Sequence, residues 1–79
     1  MDRIAKFLLK LDVKQSAKAR AAIAAILLGR LQELDIKPLE GKKRVFRCRV
    51  GKMRIIFCRT ENRKNVIMDA DFRRNIYRK

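Results

Sequence analysis

Two runs of alternating residues, Val45-Phe46-Arg47-Cys48-Arg49-Val50 and Met53-Arg54-Ile55-Ile56-Phe57-Cys58-Arg59, stand on either side of Gly51-Lys52. A period of two sends successive side chains to opposite faces of a strand, and a two-residue connection led by glycine fits a tight hairpin turn. That loop length sets the register: Val50 faces Met53, Arg49 faces Arg54, Cys48 faces Ile55, Arg47 faces Ile56 and Phe46 faces Phe57. One face collects Phe46, Cys48, Val50, Met53, Ile55 and Phe57. The other collects Arg47, Arg49 and Arg54 with Ile56 and Cys58. Like charges opposed across a ladder destabilise it by some tenths of a kcal/mol or more, so Arg49 against Arg54 points to an anion site rather than to a merely solvated face. A three-residue loop would shift this register.

Ahead of residue 43 the period is that of a helix. Ile4, Phe7, Leu8 and Leu11 fall at i, i+3, i+4 and i+7, one apolar stripe of a short first helix that Asp12 interrupts. Asp12 with Gln15 three residues on has the spacing of a helix N-cap in a capping-box arrangement. The Ala-rich stretch 16–28 continues that second helix, with Ala17, Ala21, Ala24, Leu28 and Leu31 sharing a face and small side chains that allow close packing. Lys6, Lys10, Lys14 and Lys18 recur every four residues, as an outward helical face or a phosphate-binding ridge would. Gly29 interrupts the pattern, and Asp35-Ile36-Lys37-Pro38-Leu39-Glu40-Gly41 reads as a loop. After the hairpin come a polar turn over 60–65, a third strand over 66–71, and a basic tail from Phe72 to Lys79 that carries Tyr77. The expectation is one α+β domain spanning 1–79: two N-terminal helices on one face of a small antiparallel β-sheet whose other face is free.

Charge is distributed unevenly over the 79 residues. The chain carries 22 Lys and Arg against 8 Asp and Glu, a net +14. Residues 1–40 hold 8 basic and 5 acidic groups, whereas residues 41–79 hold 14 basic and 3 acidic. Such a field repels itself in the compact state unless a polyanion or an acidic protein answers it. With 48% hydrophobic residues, three Gly and one Pro, the chain should nevertheless fold. No apolar run approaches the ~18 residues of a membrane span, and Met1-Asp2-Arg3 opens no signal-peptide core, so a cytoplasmic location and no membrane partner are expected. The chain has no His, which excludes His-based triads and most metal chemistry. Its two cysteines lack structural-zinc spacing, so no metal and no cofactor are expected. In the hairpin register Cys48 points inward and Cys58 outward, which disfavours a disulfide and suggests small apolar fillers rather than nucleophiles.

Helix, helix, Pro-Leu-Glu-Gly, Phe-Arg-Cys-Arg-Val-Gly-Lys-Met-Arg-Ile-Ile-Phe, an Asp-Ala-Asp strand and a terminal Phe-Arg-Arg-Asn-Ile-Tyr together resemble the RelE/ParE toxin superfamily over nearly the whole chain. The resemblance implies the toxin of a type II toxin–antitoxin pair, with a cognate antitoxin masking its basic surface. RelE-like members cut mRNA in the ribosomal A site, and ParE-like members poison DNA gyrase. Carried over by position, Arg47 and Arg49 look like the paired basic residues of the RelE strand and Arg54 like the basic residue after the turn. Arg73 or Arg74 looks like the C-terminal catalytic arginine and Tyr77 like its aromatic partner. Lys42, Lys43, Arg44, Lys52, Arg74 and Arg78 are then the expected RNA-binding set. The chain departs from the family pattern in two places. It starts with a helix where members usually start with a strand, leaving an edge for the antitoxin, and Phe72 stands where many have His.

Metal-independent RNA cleavage requires the 2′-OH deprotonated, the pentacoordinate phosphate stabilised and the leaving 5′ oxygen protonated. Guanidiniums suit the second task, being planar, bidentate and permanently charged, and are poor proton carriers for the same reason. Tyr77 is the candidate for proton transfer or base stacking, or else packs the tail on the sheet. Asp69 and Asp71 fit ion pairing better than base catalysis. The resemblance implies a ribosome-dependent mRNA endonuclease that inhibits translation, which suits a cationic site with weak acid–base groups. A gyrase inhibitor and an inactive nucleic-acid-binding module are the alternatives.

Overall fold

A computed structural model describes residues 3–72. Helix α1 spans Arg3–Leu9 and helix α2 Val13–Leu28. Strands β1 (Asp35–Pro38), β2 (Val45–Val50), β3 (Met53–Arg59) and β4 (Asn65–Phe72) follow. The strands form one antiparallel meander in the order β1-β2-β3-β4. The fold is thus α+β as expected, with both helices against one face of the sheet. None of the described helices is long and apolar enough to cross a membrane.

The helix boundaries follow from local chemistry. Asp12 caps α2, its Oδ1 accepting the Gln15 amide at 2.8 Å and so satisfying one of the open N–H groups of the first turn. At the other end Gly29 adopts φ 78°, its amide donating to Ile26 O while the Arg30 amide donates to Ala25 O at 2.8 Å. This pair of bonds is a Schellman motif, and it ends the helix outright. Asn65 Nδ2 donates to the same Ile26 O at 2.8 Å and ties the end of α2 to the start of β4.

The hairpin register agrees with the expectation residue for residue, from Val50 opposite Met53 to Phe46 opposite Phe57. Gly51 has φ 57° whereas Lys52 stays at negative φ, the pattern of a type II′ turn with glycine first. The inward face builds the core: Cys48, Met53, Ile55 and Phe57 meet Phe7 from α1 and Ala19, Ala22 and Ile26 from α2, with Ala70 of β4. Phe46 stacks on Phe57 with ring centroids 5.4 Å apart.

Three expectations are corrected. Residues 35–38 are a strand rather than a loop: Ile36 pairs with Cys48 and packs on the core, and Pro38 is tolerated at the end of an edge strand that needs no further donor. The buried face of α2 is Ala19, Ala22 and Ile26, not Ala17, Ala21, Ala24 and Leu28; Leu28 is 70% exposed, and of the expected set only Leu31, past the end of the helix, packs on the core. Alanine occurs on nearly every side of this helix, so periodicity does not select a face, and the bulkier Ile23 and Ile26 decide which side turns inward. Phe72 belongs to β4 instead of the tail, its ring meeting Phe7 edge to face at 5.4 Å. Lys6, Lys10, Lys14 and Lys18 are all exposed and divided between two helices and the corner joining them.

Both cysteines are free. Cys48 is fully buried, and burial pushes its thiol up from about 9 to about 11; the nearby Asp35 charge adds to the rise and Arg47 opposes it. Folding therefore favours the neutral thiol, so its contribution to stability is complete below about pH 9 and declines as pH rises toward 11. At pH 8 iodoacetamide should modify Cys58 promptly and Cys48 only at the rate of unfolding; equal rates would contradict this packing. Gly29→Ala should cost about 1 kcal/mol in urea unfolding, because an alanine Cβ there meets no neighbouring atom but must adopt left-handed backbone.

Candidate functional site

The outward face of the sheet is organised as rows running across the strands. One row is Asp35, Arg49, Arg54 and Asp71, contributed by β1 to β4 in order; the next is Lys37, Arg47, Ile56 and Asp69. The expected trio of Arg47, Arg49 and Arg54 is thus brought together. The like-charged Arg49–Arg54 pair is bracketed by a carboxylate on each side, which offsets the repulsion that sequence alone predicts.

The face is not free, as had been expected. Arg54 is only 3% exposed and Ile56 9%, both on β3, an interior strand of the sheet. Arg47 is half-buried, and its Nη1 is enclosed without a hydrogen-bond partner among the described residues. Arg49 is exposed. A guanidinium nitrogen withdrawn from water and left unsatisfied is costly, and the exposed Arg49 on the same face offers an anion charge-assisted hydrogen bonds. The arrangement can bind a phosphate and stabilise charge developing on it. Arginines do not exchange protons near neutral pH, so proton transfer needs another group.

The two aspartates of β4 hold an ion-paired arrangement that fits their expected structural role. Arg3, at the start of α1, reaches Asp69 through Nε at 2.5 Å and Asp71 through Nη2 at 3.3 Å. The same carboxylates accept backbone amides along the strand, Ala70 N to Asp69 Oδ1 at 2.9 Å and Phe72 N to Asp71 Oδ1 at 2.8 Å. Arg3 is half-exposed, so its pairing contributes modestly to stability and acts mainly by orienting α1 against β4.

The expected RNA-binding lysines and arginines do not form one patch. Lys52 sits on the β2–β3 turn, whereas Lys42, Lys43 and Arg44 lie in the β1–β2 connection at the opposite end of β2, about 20 Å away at ~3.3 Å per strand residue. Arg73, Arg74, Tyr77 and Arg78 lie outside the described residues. Sequence reasoning missed Asp35 and Lys37, which β1 adds to the rows, and Arg3. The polar-apolar-polar alternation of Asp35-Ile36-Lys37 was an available signal for the first two. For Arg3 there was none, since its partners are 66 and 68 residues away.

No family model matches the chain, and no curated protein matches it. Among solved structures it is similar to the RelB-RelE antitoxin-toxin complex from Methanococcus jannaschii, with a TM-score of 0.75 and 21% sequence identity over 94% of this chain and 88% of that one. A likeness of that extent at that identity is one of backbone architecture: this chain has a RelE-like fold.

Proposed function

We propose that the chain is the toxin of a toxin–antitoxin pair, acting in the cytoplasm as a ribosome-dependent mRNA endonuclease and held inactive by a cognate antitoxin. The observation that carries this is the placement of Arg47, Arg49 and Arg54 on one sheet face, with Nη1 of Arg47 enclosed and unsatisfied, in a RelE-like fold. The structural neighbour is a toxin in complex with its antitoxin, and a net charge of +14 suits both an acidic partner and an RNA substrate.

In this reaction the 2′-hydroxyl gives up its proton to water, its oxygen attacks the adjacent phosphorus as the P–O5′ bond breaks, and the departing 5′ oxygen takes up a proton, leaving a 2′,3′-cyclic phosphate and a 5′-hydroxyl. Arg47 and Arg49 contact the non-bridging oxygens, and the buried Arg54 supports them with a fixed charge whose attraction grows as negative charge accumulates on the phosphorane. Tyr77 is the residue proposed to serve the leaving oxygen or stack on a base. Arg73, or Arg74 beside it, supplies a further cation. The ribosome contributes by holding the mRNA in a geometry that the chain alone does not impose, which suits a site poor in acid–base groups.

Induced expression with primer extension on a reporter mRNA tests the proposal. The wild-type chain should arrest growth and produce cuts in phase with codons. Arg47→Ala should reduce cleavage by about 10²–10³-fold, the usual cost of losing one donor to a developing oxyanion. Arg54→Lys should also reduce cleavage, because it keeps the charge and loses the planar fork. Arrest without cuts, accompanied by loss of gyrase supercoiling, would replace the nuclease with a gyrase inhibitor. Absence of arrest would defeat the toxin reading.

A further inference from the structure

A second cationic surface lies at the end of the sheet remote from the Gly51-Lys52 turn. There the β1–β2 connection presents Lys42, Lys43 and Arg44, and the end of β3 with the β3–β4 turn presents Arg59, Arg63 and Lys64; all six are exposed. The two segments are joined by a backbone bond from the Arg59 amide to Arg44 O at 2.8 Å. Against six cations stand two exposed carboxylates, Glu40 and Glu61, and none of the six is ion-paired among the described residues. Arg59 is held by Asn65 Oδ1 at 3.4 Å and lies over the Phe46 ring, 5.9 Å from its centroid.

Arg44 and Arg63 are the only non-glycine residues of the described chain at positive φ, 61° and 63°. Each occupies a backbone conformation that glycine adopts without penalty and a long side chain does not. The Arg63 turn is fully bonded locally: the Arg63 amide donates to Thr60 O at 2.9 Å, the Thr60 amide to Lys64 O at 2.8 Å, and the Lys64 amide to Thr60 Oγ1 at 3.2 Å. Glycine would satisfy the same turn, so an arginine at each left-handed position serves something other than local folding.

We propose that this surface binds the RNA phosphodiester backbone, as a subsite separate from the arginine rows. It rests on the nuclease reading for its purpose, which is to hold the strand beyond the scissile phosphate. Arg44, in the connection just before β2, lies three residues from Arg47, about 10 Å at ~3.3 Å per residue, so a backbone engaged at Arg47 can continue onto Arg44 and Arg63. Contacts of this kind position the strand and carry no base specificity.

The test is anisotropy of a labelled oligouridine and of a labelled RNA duplex, titrated with the full chain across a range of salt. The triple variant Arg44→Gly, Arg63→Gly and Lys64→Ser removes three cations while relieving both left-handed positions, so its thermal midpoint should not fall. Its slope of log K against log salt should drop by about 2 on the single strand, close to the loss of three phosphate contacts. A control lacking Lys10, Lys14 and Lys18 should lose distinctly less. Loss on the duplex instead would keep the site and assign it to structured RNA. An unchanged slope in the triple variant, or an equal loss in the control, overturns the subsite even if the wild type cleaves mRNA. A chain that binds RNA through these loops yet never cuts would overturn the nuclease reading and leave the subsite standing.

Discussion

The register of the β2–β3 hairpin is the constraint on which the rest of the structure depends. Slipping β3 by one residue against β2 would move Ile55 and Phe57 out of the core and turn Arg54 inward, where an unpaired guanidinium is prohibitively costly. Burial of one face and charge on the other therefore enforce the same pairing, and Gly51 at positive φ closes the turn in the one length compatible with it. The helices add a lid of small and branched side chains to a surface already defined by the hairpin.

The outward face obtains its properties from the neighbouring strands. Two arginines opposed across a ladder would repel, but Asp35 on one side and Asp71 on the other complete an alternating row in which positive charge is concentrated at the centre. Burial of Arg54 keeps its guanidinium in place and out of bulk water, where its field on a bound anion is screened less than at the surface. The exposed Arg49 and half-buried Arg47 can reach a ligand. Fixed and adaptable cations thus occur side by side.

The same carboxylates that temper the row secure the sheet edge. Asp69 and Asp71 each accept the amide of the following residue and share Arg3, so one strand edge is partly covered by its own side chains and by α1. The opposite edge is handled differently, by a four-residue strand ending in Pro38. Close packing of Phe72 on Phe7 continues the attachment of α1 to β4 on the inner side.

By itself the sequence determined the hairpin, its register, the helix start at Asp12 and the trio of arginines on one face, because each of these is set by residues near one another in the chain and by a period that tolerates no slip. The tertiary structure decided the inward face of α2, the pairing of Asp35–Pro38 as a strand, the pairing of Arg3 with Asp69 and Asp71, and the backbone bond that joins the Arg44 segment to Arg59. An alanine-rich helix has no dominant apolar side, and a four-residue strand carries too little alternation to outweigh its proline. Ion pairs spanning most of the chain leave no mark on local sequence. They arise when the buried hydrophobic surface brings distant segments together, and only then do the charges on those segments acquire neighbours.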